Sequence, residues 1–144
     1  MNSRTLVVMG YIFNPDGFDW MNIRLTKDND YTYHHIEEVK KGGKTTVENG
    51  AILTEISHRF LHILEAYCPK AYNDLQNVFM TINARMEPPS FELMKEIDQI
   101  LYDIFYTEKY HISEEDLPIK AWKKFIETRA AYETSRHILR KCLT

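Results

Sequence analysis

At 144 residues, with 44% hydrophobic and 27% charged side chains, the chain has the balance of a single globular domain spanning 1–144, which excludes a multidomain enzyme or a disordered chain. Two cysteines, Cys68 and Cys142, cannot form a disulfide framework or a four-cysteine zinc site; no apolar run is long enough to span a bilayer, and the N-terminus lacks a signal-peptide core. The expected setting is a reducing cytoplasm, including that of an infected host, and the net charge of −3 leaves any attraction to nucleic acid to local patches.

The N-terminal part reads as β. Thr5–Phe13 is rich in β-branched and aromatic residues and stops at Asn14-Pro15-Asp16-Gly17, a turn signal. Asp19–Thr26 alternates loosely, Lys27-Asp28-Asn29-Asp30 is a polar turn, and Tyr31–Val39 is a further short strand. Gly42-Gly43 then breaks the pattern.

From Thr54 the period becomes helical. Ile56, Phe60, Ile63, Leu64 and Tyr67 share a face that ends at Cys68-Pro69, because proline cannot continue a helix. Tyr72, Leu75, Val78, Phe79 and Ile82 carry the same period onward. Ser90 is placed to cap a helix whose stripe is Leu93, Ile97, Ile100, Leu101 and Ile104. Ser113 with Asp116 resembles a capping box, Pro118 suits a first turn, and Trp122, Phe125, Ile126 and Ile138 indicate a last helix.

Charge is segregated along this helical part. Residues 85–116 carry three basic and nine acidic side chains, whereas 117–144 carry seven basic and two acidic. Two roles fit the basic stretch: neutralising the acidic segment, or lying along phosphates through Lys120, Lys123, Lys124 and Arg129.

Four of the six histidines fall between residues 34 and 62. His58 and His62, four apart, share one face of a helix, a spacing suited to holding a metal ion. Strand alternation sends adjacent His34 and His35 to opposite sides, so one can ligate while the other stays free as a base. Gly42-Gly43 lies between the two pairs, Asn49 stands fourteen residues after His35, and His58 follows nine residues later.

This constellation over residues 31–66 resembles the HNH endonucleases, whose motif is also called the ββα-metal fold. The tandem histidine is similar to the family's first block, Asn49 to its central asparagine, and His58 with His62 to its helical block. The resemblance implies an α+β fold with a ββα motif between N-terminal strands and a helical C-terminal part over 70–144. It implies hydrolysis of DNA phosphodiester bonds, with RNA left open, by one divalent ion held by His34, His58 and His62. His35 would be the general base and Asn49 the residue that ties the loop to the first strand. Arg59, beside the helical ligands, is a candidate phosphate contact.

Three imidazoles suit zinc or nickel, while magnesium prefers oxygen ligands, so the ion is one of Mg, Mn, Ni or Zn. A phage or mobile-element origin fits so small a protein of this type. The alternative from another class is a non-catalytic metal-binding module with an HNH-like fold that docks on nucleic acid or protein.

Overall fold

Helical spacing rather than β-propensity decides the first element. In the computed structural model, which describes residues 3–130, Ser3–Phe13 is helix α1 and not the strand expected over Thr5–Phe13. Leu6, Met9 and Phe13 recur at helical intervals, and Met9 and Phe13 are fully buried, while Val7 and Val8 face outward. Burying each large side chain contributes about 1.5–3 kcal/mol, more than the fraction of a kcal/mol by which valine disfavours a helix. The turn that follows is where the sequence puts it: Asn14, Asp16 and Gly17 all adopt positive φ, and the Asn14 N–H closes on the Gly10 carbonyl.

Residues 18–30 form two isolated bridges, Phe18 with Arg24 and Thr26 with Asn29, in place of a regular strand. Strands β1 (Tyr31–His35) and β2 (Gly50–Thr54) then pair antiparallel, from Tyr31 opposite Thr54 to His35 opposite Gly50. β1 is thus shorter than the expected Tyr31–Val39. The connection contains two short 3-10 turns, Val39–Lys41 and Val47–Asn49. Its double glycine has two distinct reasons: Gly42 sits at φ +93°, and a side chain on Gly43 would collide with the backbone carbonyl of Glu37.

Helix α2 (Glu55–Tyr67) follows β2 directly, and α3 (Pro69–Arg85) and α4 (Phe91–Tyr106) complete the expected helical run. The predicted stripes of α3 and α4 are buried, and Ser90 caps α4 by accepting a hydrogen bond from the Leu93 N–H. Glu114–Asp116 is a short 3-10 turn, so the last helix, α5, starts after Pro118 and is helical over residues 119–130. Arg136, Ile138, Arg140, Lys141 and Cys142 lie outside the described residues.

Phe60 of α2 stacks on Phe125 of α5 with ring centroids 3.9 Å apart, and Trp122 and Phe105 close around it. Such pairs add about 0.5–1.5 kcal/mol each beyond area burial. At about 100° per residue, Phe60 lies roughly 200° around α2 from both His58 and His62. α4 and α5 therefore pack on the side of α2 away from those histidines. The chain is α+β, with one small sheet among the described residues, and no described helix is long and apolar enough to cross a membrane.

Candidate metal and catalytic site

A helix that starts flush with a strand leaves its first N–H groups without helical partners, and the loop before β1 supplies acceptors for two of them here. The Glu55 N–H donates to the Asp30 carbonyl and the Ile56 N–H to Asn29 Oδ1. Asp19, 2% exposed, accepts from the Met21 and Ile23 N–H groups on Oδ1 and from the Thr54 N–H and hydroxyl on Oδ2, all at 2.7–3.0 Å. Burial pushes the Asp19 carboxyl above the usual carboxylate range, opposed by these donors and by Ser57. This network fixes the start of α2, and with it the direction in which His58 and His62 project.

The two helical histidines meet His34 from β1. Ring centroids are 4.7 Å apart for His58 and His62, 5.3 Å for His34 and His58, and 6.2 Å for His34 and His62. With metal–nitrogen distances near 2.0–2.1 Å, imidazoles sharing one tetrahedral ion place their centroids about 5 Å apart. Two of the three separations are near that value, and the longest runs from the buried His34 to the exposed His62. As they stand, no three His, Cys, Asp or Glu side chains among the described residues form a closed ligand group.

One nitrogen of each ring has a polar neighbour. His34 Nε2 is 2.7 Å from Gln76 Oε1, His58 Nδ1 is 2.9 Å from the Thr32 hydroxyl, and His62 Nδ1 is 3.6 Å from Glu65. Thr32 donates its own proton to the Leu53 carbonyl, so it accepts from His58, leaving the His58 Nε2 lone pair open. Burial pushes His34 and His58 down to about 4, and the neighbouring histidines push in the same direction, so both rings are neutral at pH 7. The donor set thus fits a divalent ion that favours nitrogen.

The tandem pair differs in burial and partners: His34 is 3% exposed, whereas His35 is half-buried and bonds Thr45 Oγ1 through Nε2 at 2.7 Å. Both nevertheless line one cavity of about 460 Å³, together with His58, His62, Glu38 and Glu65. Asn49 clamps the intervening loop: Nδ2 donates to the Glu37 and Lys44 carbonyls, Oδ1 accepts from the Glu37 N–H, and its carbonyl accepts from Ile36 at the end of β1.

Lys40, paired with Glu38 at 3.2 Å, lines this cavity, but none of the basic residues expected on phosphate does. Arg59 is exposed on α2, and Lys120, Lys123 and Lys124 are exposed on α5, across α2 from the histidines. Arg129, expected as a phosphate contact, is instead 7% exposed and pairs with Asp98 at 3.1 Å. The reason is spacing: it falls four residues after Phe125 and seven after Trp122, on the packed face of α5. At this residue the basic stretch does neutralise the acidic one.

Gln76, Thr32, Thr45, Glu65 and Asp19 support the site and do not stand out in the sequence. Only Glu65 had a local signal, being three residues after His62 on the same face of α2. Glu65 and Lys40 beside Glu38 hold the Glu38 carboxyl below its usual range. A second groove of about 720 Å³ adjoins the cavity between α3 and the 36–49 loop, bordered by Glu37, Glu38 and Glu48 with Lys41. No family model, curated protein or solved structure matches this chain.

Proposed function

We propose that the chain is a divalent-metal-dependent nuclease of the HNH, ββα-metal type that hydrolyses phosphodiester bonds of DNA. The observation that carries the reading is the grouping of three imidazoles, two of them held neutral by burial, in one cavity that also receives His35. His34, His58 and His62 would hold the ion. When bound, the ion supplies stabilisation of the charge that develops on the phosphate and on the leaving oxygen.

The chain's own residues do the rest. His35 lines the same cavity outside the group formed by His34, His58 and His62, and an imidazole can serve as general base toward an attacking water. The Thr45 hydroxyl orients that ring through Nε2, and the edge of Tyr33 packs against it with centroids 4.8 Å apart. Asn49 takes no proton; it holds the loop between the strands in place through four hydrogen bonds.

The second reading, a metal-binding module without catalysis, draws on the carboxylates that border the cavity and its groove, which disfavour an incoming phosphate backbone. Incubation of the protein with plasmid DNA and with RNA across Mg²⁺, Mn²⁺, Ni²⁺ and Zn²⁺ separates the two. The nuclease reading expects metal-dependent cleavage that His35→Ala abolishes while metal affinity stays nearly intact. Wild-type cleavage by His35→Ala, or no cleavage with any ion, overturns it.

A further inference from the structure

Gln76 lies on α3, outside the ββα segment, yet its side chain meets His34, the buried histidine of the cluster, at 2.7 Å. Its amide orientation follows from its other partners. Gln76 Nε2 donates to the Ile36 carbonyl at 2.6 Å and to the Tyr72 hydroxyl at 3.1 Å. The reverse orientation would set Oε1 against the Ile36 carbonyl, two acceptors facing each other. Oε1 therefore faces His34 Nε2, and an amide oxygen only accepts.

We propose that Gln76 is a positioning residue that holds His34 in its Nε2–H tautomer and so turns the Nδ1 lone pair to the cavity. The inference rests on the reading of His34, His58 and His62 as ligands. It adds a device from a separate helix that chooses which nitrogen His34 offers. Such outer partners fix both ring orientation and tautomer, and losing one typically costs ten- to a hundredfold in metal affinity. The device is well supported mechanically: Gln76 is 8% exposed, and its amide spans from the end of β1 to Tyr72 one turn earlier on α3. The opposite tautomer would leave Gln76 Oε1 and His34 Nε2 as two buried acceptors 2.7 Å apart.

The test uses nitrogen NMR of the imidazoles in the metal-free protein, with Zn²⁺ titration of the same samples. In wild type, His34 is expected to carry its proton on Nε2. Gln76→Leu, close in volume but without an acceptor, is expected to release the ring into a mixture of tautomers and weaken Zn²⁺ binding ten- to a hundredfold. Gln76→Glu keeps an acceptor and is expected to restore the Nε2–H form and most of the affinity. A wild-type His34 protonated on Nδ1 overturns the inference even if Gln76→Leu fails to fold. Folded Gln76→Leu with unchanged tautomer and unchanged affinity overturns it too. A wild-type protein that binds no Zn²⁺ but shows the Nε2–H form refutes the ligand assignment while leaving the tautomer assignment standing.

Discussion

Replacing Asp19 with alanine removes the one carboxylate that ties the 18–26 loop, the end of β2 and the start of α2 together. Three backbone N–H groups, those of Met21, Ile23 and Thr54, lose their acceptor in a region where Asp19 itself is 2% exposed. The Thr54 hydroxyl has a second partner in Ser57 at 3.4 Å and is less affected. An unpaired buried donor costs about 1–3 kcal/mol, and removing a buried carboxyl recovers part of its own burial cost. The lower end therefore applies, giving about 3 kcal/mol for Asp19→Ala. Asp19→Asn keeps an acceptor for two of the three donors and is expected to cost about half as much. Against a typical domain stability of 5–15 kcal/mol, the alanine variant stays folded in water but unfolds at visibly lower urea. Urea titrations followed by far-ultraviolet circular dichroism measure this directly. The alanine variant should also bind Zn²⁺ more weakly, because His58 and His62 project from the helix that Asp19 anchors. A loss below 1 kcal/mol for Asp19→Ala, or equal losses for the two variants, refutes the role assigned to this carboxylate.

Three further outcomes are expected. Below pH 6.5 an unfolded histidine binds a proton that native His34 and His58 refuse until about pH 4, so stability of the metal-free protein falls as pH drops across that window and levels off beneath it. His34 accounts for about 3 kcal/mol of that loss and the more exposed His58 for less; urea titrations at pH 7, 5.5 and 4 read it, and a His34→Gln variant that keeps the full slope contradicts it. Gly43→Ala should destabilise more than Gly42→Ala, since the first collides with backbone while the second pays only the left-handed conformation, about 1–2 kcal/mol; the reverse order by thermal denaturation would count against the loop geometry. Replacing both Lys123 and Lys124 with alanine should leave the salt dependence of DNA binding unchanged, because they lie across α2 from the histidines; a slope lower by about two units would place them on the DNA.

The parts of the fold that were legible in the sequence are those whose signal is local and repeated. The stripes of α3 and α4, the Ser90 cap and the Asn14–Gly17 stop each depend on neighbours within a turn or two. Val7 and Val8 give α1 a β-like composition, whereas the deciding fact is the wall that Met9 and Phe13 meet: Gly50 and Tyr33 on one side, Trp20 on the other. The histidines and Asn49 were visible through their spacing. Their supports were not, since Gln76 meets His34 across 42 residues, Asp19 meets Thr54 across 35, and Thr32 meets His58 across 26. Arg129 is the converse case: its charge, counted along the chain, points to the surface, whereas helical spacing from Trp122 and Phe125 turns it inward.

Diffraction from crystals soaked in Zn²⁺, with data collected on both sides of the zinc absorption edge, tests the central claim most directly. The account predicts one anomalous peak in the cavity within about 2.0–2.1 Å of His34 Nδ1, His58 Nε2 and His62 Nε2, with His35 outside the coordination sphere. A peak bound through His35 or elsewhere on the surface, or an empty cavity at saturating Zn²⁺, would contradict it.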